Sequence, residues 1–204
     1  MDVDYFLRPS RWVFYAHTVF WAAFLVARMR ALAGAGAAEQ ADQPRHRAEP
    51  VDAAHASLLV RAHVVTLVAL YPLLWAACSV SRDAPTLLRG SLAVALIVGG
   101  GAVAAWALTV FRSYRLKATL EPGHELCQDG PFRYVRHPIY LAFGLLGAGT
   151  ALWADTAALW GVAALLWLIA DLRGRTEEKL LVETFGERYR SYLGSTSRLL
   201  PWVY

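Results

Sequence analysis

A chain of 204 residues is enough for one compact unit, and 57% hydrophobic with 18% charged residues falls below the roughly 25% charged content of ordinary soluble domains. The net charge of +4 does not indicate nucleic acid, because the basic residues flank apolar runs instead of gathering on one soluble face. Eight tryptophans fit a bilayer, whose interface favours indole rings, and the two distant cysteines, Cys78 and Cys127, make neither a metal pattern nor a disulfide framework.

Five apolar segments follow in chain order. The first runs from Trp12 to about Ala27, the second from Ala62 to Val80 with Pro72 inside it, and the third from Ser91 to Phe111. The fourth runs from Pro138 to Trp153 and the fifth from Thr156 to Ala170, with Asp155 between them, which predicts a tight helical hairpin. A straight span needs about 20 residues, so segments one, four and five are marginal on their own. The first segment does not read as a cleaved signal peptide, since Arg28 and Arg30 interrupt the order of apolar core and cleavage site. The fold class expected is all-α: a polytopic membrane protein of about five transmembrane helices, ending in the hairpin and a cytoplasmic amphipathic helix.

Lys and Arg set the expected orientation. With the loop between segments one and two, the loop between three and four, and the C-terminal tail on one side, that side carries sixteen basic residues. The other keeps Arg8, Arg11, Arg82 and Arg89. The positive-inside rule then puts the C-terminus in the cytoplasm. The stretch from Gly34 to Pro50 is small and polar, and His46 and His55, in or near it, read as solvated histidines. His17 and His63 read as structural histidines near helix ends.

Two polar stretches hold nearly every group able to do chemistry. Glu121 to Tyr140 reads EPGHELCQDGPFRYVRHPIY and is dense in turn formers. Pro138 suits the first position of a helix, whose amide-rich end attracts anions. On physics alone, a binding loop and a membrane-entry loop with Tyr and Arg anchors fit equally well. Asp171 to Tyr192 reads as an amphipathic helix, with Leu180, Leu181, Thr184, Phe185, Tyr189 and Tyr192 on one side. Arg173 and Glu177 stand four apart and share a face. Charges at a membrane boundary are costly unless they face a polar cavity, which favours a functional role over a surface ion pair.

The ordered elements resemble the isoprenylcysteine carboxyl methyltransferase family, which shares its pattern loosely with phospholipid N-methyltransferases. They are His124 and Leu126, Gly130, Phe132, Arg136-His137-Pro138-Ile139-Tyr140, the hairpin, Arg173 with Glu177, and Phe185-Gly186 with Tyr189. They cover roughly Lys117 to Trp202. The resemblance implies a division into residues 1–116, shaping the acceptor site, and 117–204, a core that binds S-adenosylmethionine. It implies cofactor contacts from His124, Glu125, Leu126, Cys127 and Phe132, the last against adenine. His137, Pro138, Ile139 and Tyr140 would hold the amino-acid end of the cofactor, and Glu177 its ammonium. Arg173 would face a lipid-soluble acceptor arriving through the bilayer, and Lys117 would border the pocket. A carboxylate acceptor, a phospholipid amine and a small thiol all remain open, with Glu178 or His137 as the base for the last two. A nicotinamide-dependent membrane reductase and a non-enzymatic membrane protein are the competing classes. No metal and no nucleic acid partner is expected.

Overall fold

The computed structural model describes residues 11–38, 53–80, 84–111 and 126–203. The described residues form six α-helices: α1 Trp12–Ala38, α2 Ala53–Val80, α3 Leu87–Val110, α4 Pro138–Ala154, α5 Ala157–Phe185 and α6 Glu187–Ser195. A 3-10 turn, Gly130–Arg133, precedes α4. Helices α1, α2, α3 and α5 are each long and apolar enough to cross a bilayer, whereas α4 is shorter. The protein is an all-α polytopic membrane protein.

The elements differ from the sequence expectation mainly in their ends. The first helix continues through Arg28 and Arg30 to Ala38, so those arginines are helical and do not lie in a loop. The second begins at Ala53, which puts His55 in its first turn and His63 well inside it, away from any helix end. The expected separate amphipathic helix is the continuation of α5, which has 29 residues. At about 1.5 Å per residue it is about 43 Å long, more than the ~30 Å hydrocarbon core. Its polar end therefore extends to the membrane boundary without a break. The break comes at Gly186, with φ +55° and ψ −128°, a left-handed backbone that suits glycine.

Helix α4 has 17 residues, nearly all of them buried. An all-round apolar helix belongs inside a bundle, and α4 packs between α3 and α5. Small residues allow the close approach. A Cβ on Gly149 would lie 2.7 Å from the Ala93 carbonyl oxygen, and one on Gly100 would lie 2.9 Å from that of Ala142. Close backbone contact of this kind replaces the hydrophobic drive that lipid cannot supply.

The helices alternate in direction. The start of α3 meets the α4–α5 turn, where Arg89 Nη1 lies 2.8 Å from Asp155 Oδ2, and Thr156 caps α5 by accepting from the Leu159 amide. His17 ties α1 to both α2 and α4, with Tyr71 Oη at 3.1 Å and Thr150 Oγ1 at 2.9 Å. Both of its ring nitrogens have partners, as a structural histidine requires. The ends of α3 and α5 and the start of α4 meet at the opposite end of the bundle.

Candidate functional site

The site is assembled around the turn that leads into α4. Gly130 has φ +58°, and a Cβ there would lie 2.8 Å from Val110 Cγ2, so only glycine lets the turn press against α3. Val135 pairs with Ser197 in an isolated parallel bridge. The Arg136 amide donates to Ser197 O at 2.8 Å and the His137 amide to Arg198 O at 3.1 Å. The C-terminal segment thus takes two amides that the sequence left available to an anion, and Pro138 has none to offer.

One cavity collects the expected residues. Leu126, Cys127, Phe132, His137, Pro138, Ile139, Tyr140 and Glu177 all line it. His124, Glu125 and Lys117 lie outside the described residues. Five further residues complete the lining: Phe111, Arg136, Leu181, Tyr189 and Tyr192. The Phe111 and Phe132 rings meet at 5.5 Å between centroids. Tyr192 donates its hydroxyl proton to the Phe132 carbonyl, anchoring α6 over the turn. Burial pushes the Cys127 thiol and the Tyr189 and Tyr192 phenols up from their ordinary values. These groups form a neutral wall and carry no charge into the cavity.

Arg173 does not line this cavity. It is buried beside it, with its guanidinium 4.6 Å from the centre of the Tyr140 ring. Its Nη2 lies 3.8 Å from Glu177 Oε1, so the predicted shared face holds. Its Nη1 lies 3.3 Å from His63 Nδ1 on α2. Tyr140 links the two sides, since its hydroxyl donates to Glu177 and its ring stacks on that of His137 at 5.4 Å and 10°.

His137 lies between two carboxylates, with Nδ1 3.6 Å from Glu177 Oε2 and Nε2 3.3 Å from Glu178 Oε1. The two glutamates are adjacent in sequence yet differ in surroundings. Glu177 lines the cavity. Glu178 is buried among cations, with Arg136 Nε at 2.8 Å and Arg198 Nη2 at 2.9 Å. A carboxylate held by two guanidinium groups is a poor proton acceptor, so this environment removes Glu178 from the candidate bases. Gly174 makes room for the arrangement: a Cβ there would sit 3.2 Å from both Arg198 Cδ and His137 Cδ2.

Of the residues that sequence reasoning missed, some had a signal. Leu181 stands four after Glu177, and Tyr189 belongs to the Phe-Gly-x-x-Tyr element with Tyr192 three further on. Phe111, at the end of α3, had none.

Comparison with known proteins agrees with this geometry. Residues 93–183 match the Isoprenylcysteine carboxyl methyltransferase (ICMT) family. The match starts within α3, before Lys117, and takes in the turn, α4 and most of α5. The chain is also 35% identical over 74 residues to Methanethiol S-methyltransferase 1 of Bradyrhizobium diazoefficiens. That alignment covers 35% of this chain and 24% of the relative, so the chain matches about a quarter of the relative's length. The family match spans the cavity residues from Phe111 to Leu181 and ends before Tyr189 and Tyr192.

Proposed function

We propose that this chain transfers a methyl group from S-adenosylmethionine to a lipid-soluble acceptor at the cytoplasmic boundary of a membrane, with a carboxylate as the first acceptor class. The observation that carries the reading is the cavity itself. It gathers eight expected contact residues from the turn, α4 and α5, and has Glu177 as its acidic member. A flat aromatic base fits the wall formed by Phe111 and Phe132, and an ammonium fits Glu177, so the donor set suits this zwitterion. His137, Pro138, Ile139 and Tyr140 hold its amino-acid end at the start of α4, His137 by its side chain, since its amide is taken by Arg198 O.

The donor supplies an electrophilic methyl carbon: an acceptor lone pair forms the new bond as the carbon–sulfur bond breaks, and that electron pair stays on sulfur. The chain's own task is alignment, which supplies much of the rate in an in-line displacement. Arg173 orients an acceptor carboxylate by a two-point contact. Such an acceptor is already ionised and needs no base. The residues before 117 shape the acceptor side and those after it hold the donor, except that Phe111, at the end of α3, joins the donor wall and Arg173 faces the acceptor.

The water-soluble donor requires this end of the bundle to face the cytosol. Arg133, Arg136, Arg173, Arg175, Arg188, Arg190 and Arg198 cluster there, while Arg11 and Arg89 stand at the other end. A reporter fused after Tyr204 should signal from the cytoplasm, and a signal only from the outer side rejects the orientation.

A small thiol is the second acceptor class, favoured by the similarity to the Bradyrhizobium methanethiol S-methyltransferase. A thiol must lose its proton. Purified protein given isotope-labelled donor should label a prenylated N-acetylcysteine as an alkali-labile methyl ester. Label on methanethiol in its place selects the thiol reading. Label on neither of these, nor on phosphatidylethanolamine vesicles, contradicts methyl transfer to the proposed classes.

A further inference from the structure

Two interior histidines were expected to be alike, and they are not. His17 has both ring nitrogens satisfied, by Tyr71 and Thr150. His63 is 1% exposed, and only its Nδ1 has a partner, Arg173 Nη1 at 3.3 Å. Its Nε2 is buried with no hydrogen-bond partner among the described residues. A guanidinium N–H can only donate, so Nδ1 must be the accepting nitrogen. The neutral ring therefore carries its proton on Nε2, as a buried donor without an acceptor. Native structures retain few such groups, and each calls for an explanation. The ring packs against Tyr140 at 5.9 Å and Phe143 at 5.4 Å between centroids, next to the site.

We propose that His63 and Arg173 act as a pair on the methyl acceptor. His63 Nδ1 sets the guanidinium over Tyr140, and His63 Nε2–H is offered to the oxygen-bearing head group of the acceptor. This rests on the methyl-transfer reading above and deepens it, because it draws α2 into acceptor recognition. It also selects a class of ligand: a head group with hydrogen-bond-accepting oxygens satisfies both donors, and a small thiol satisfies them poorly.

Two variants separate the two nitrogens. His63→Phe keeps the ring packing and removes both of them. His63→Asn keeps an accepting oxygen near the position of Nδ1 and removes the Nε2–H donor. With S-adenosylhomocysteine as the binding probe and a prenylated N-acetylcysteine as the acceptor probe, both variants should bind the first about as tightly as wild type. His63→Phe should lose about tenfold or more in kcat/KM for the acceptor, the loss expected for one charge-assisted hydrogen bond. His63→Asn should recover most of kcat while the acceptor KM stays raised. Equal kcat in the two variants, or wild-type turnover in His63→Phe with donor binding intact, overturns this inference alone. Loss of donor binding in both variants overturns it as well, by making His63 purely structural. Failure of the wild-type chain to bind S-adenosylhomocysteine overturns the methyl-transfer reading and this inference with it.

Discussion

Glu178→Ala should cost about 3–5 kcal/mol of stability, the range for removing one partner from a buried ion pair. The Glu178 side chain is only 8% exposed, so solvent screens little of the interaction. Its carboxylate takes Arg136 Nε at 2.8 Å, Arg198 Nη2 at 2.9 Å and His137 Nε2 at 3.3 Å. Arg198 would keep Asp171 Oδ1 at 2.8 Å, and Arg136 would keep the carbonyls of Leu193 and Thr196. Neither set supplies the lost charge at Arg136, whose side chain is also 8% exposed. The bridge between Val135 and Ser197 should loosen with it, since each of these arginines directly follows one of the bridge residues. Glu178→Gln should cost less, because an amide oxygen still accepts from one guanidinium. Thermal unfolding in detergent checks both variants. An unchanged midpoint for Glu178→Ala would mean that the cluster contributes nothing to the fold.

Glu177→Ala and Arg173→Ala should fail in different ways. Glu177 lines the cavity and is assigned the ammonium of the donor. Its loss should weaken S-adenosylhomocysteine binding very roughly 10- to 150-fold, the equivalent of one hydrogen bond to a charged group at about 1.5–3 kcal/mol. Arg173 is outside the cavity lining, so Arg173→Ala should bind the donor product nearly normally and transfer methyl slowly. Arg173→Lys should recover only part of the rate, because an ammonium cannot reproduce a planar two-point grip. The separation of 3.8 Å between Arg173 Nη2 and Glu177 Oε1 makes their direct pairing loose, which favours distinct roles. Residues in contact need not behave additively. Equal loss of donor binding in both variants would make the pair one structural unit.

The parts legible in the sequence were those set by short-range chemistry. The Arg-His-Pro-Ile-Tyr run and the Arg173–Glu177 spacing both lie on or beside single helices, so periodicity alone brings their members together. The apolar segments were legible as helices, but their ends were not. Hydropathy falls at Arg28 and again at Asp171, yet the backbone hydrogen bonding continues through both positions. Helix length was therefore underestimated where polar residues extend a span beyond the hydrocarbon. Sequence reasoning kept Glu178 among the candidate bases, because the arginines at 136 and 198 that set its surroundings are distant in the chain. Those contacts span 42 and 20 positions. His63 reaches Arg173 across 110 positions, and no local pattern reports a contact of that range.

Calorimetric titration of the purified full chain in detergent tests the central claim most directly. S-adenosylhomocysteine should bind saturably to the wild-type protein and much more weakly to Glu177→Ala, while a nicotinamide cofactor gives no heat of binding. Saturable binding of the nicotinamide cofactor, with none of S-adenosylhomocysteine, would contradict the account and move the protein to the membrane reductases.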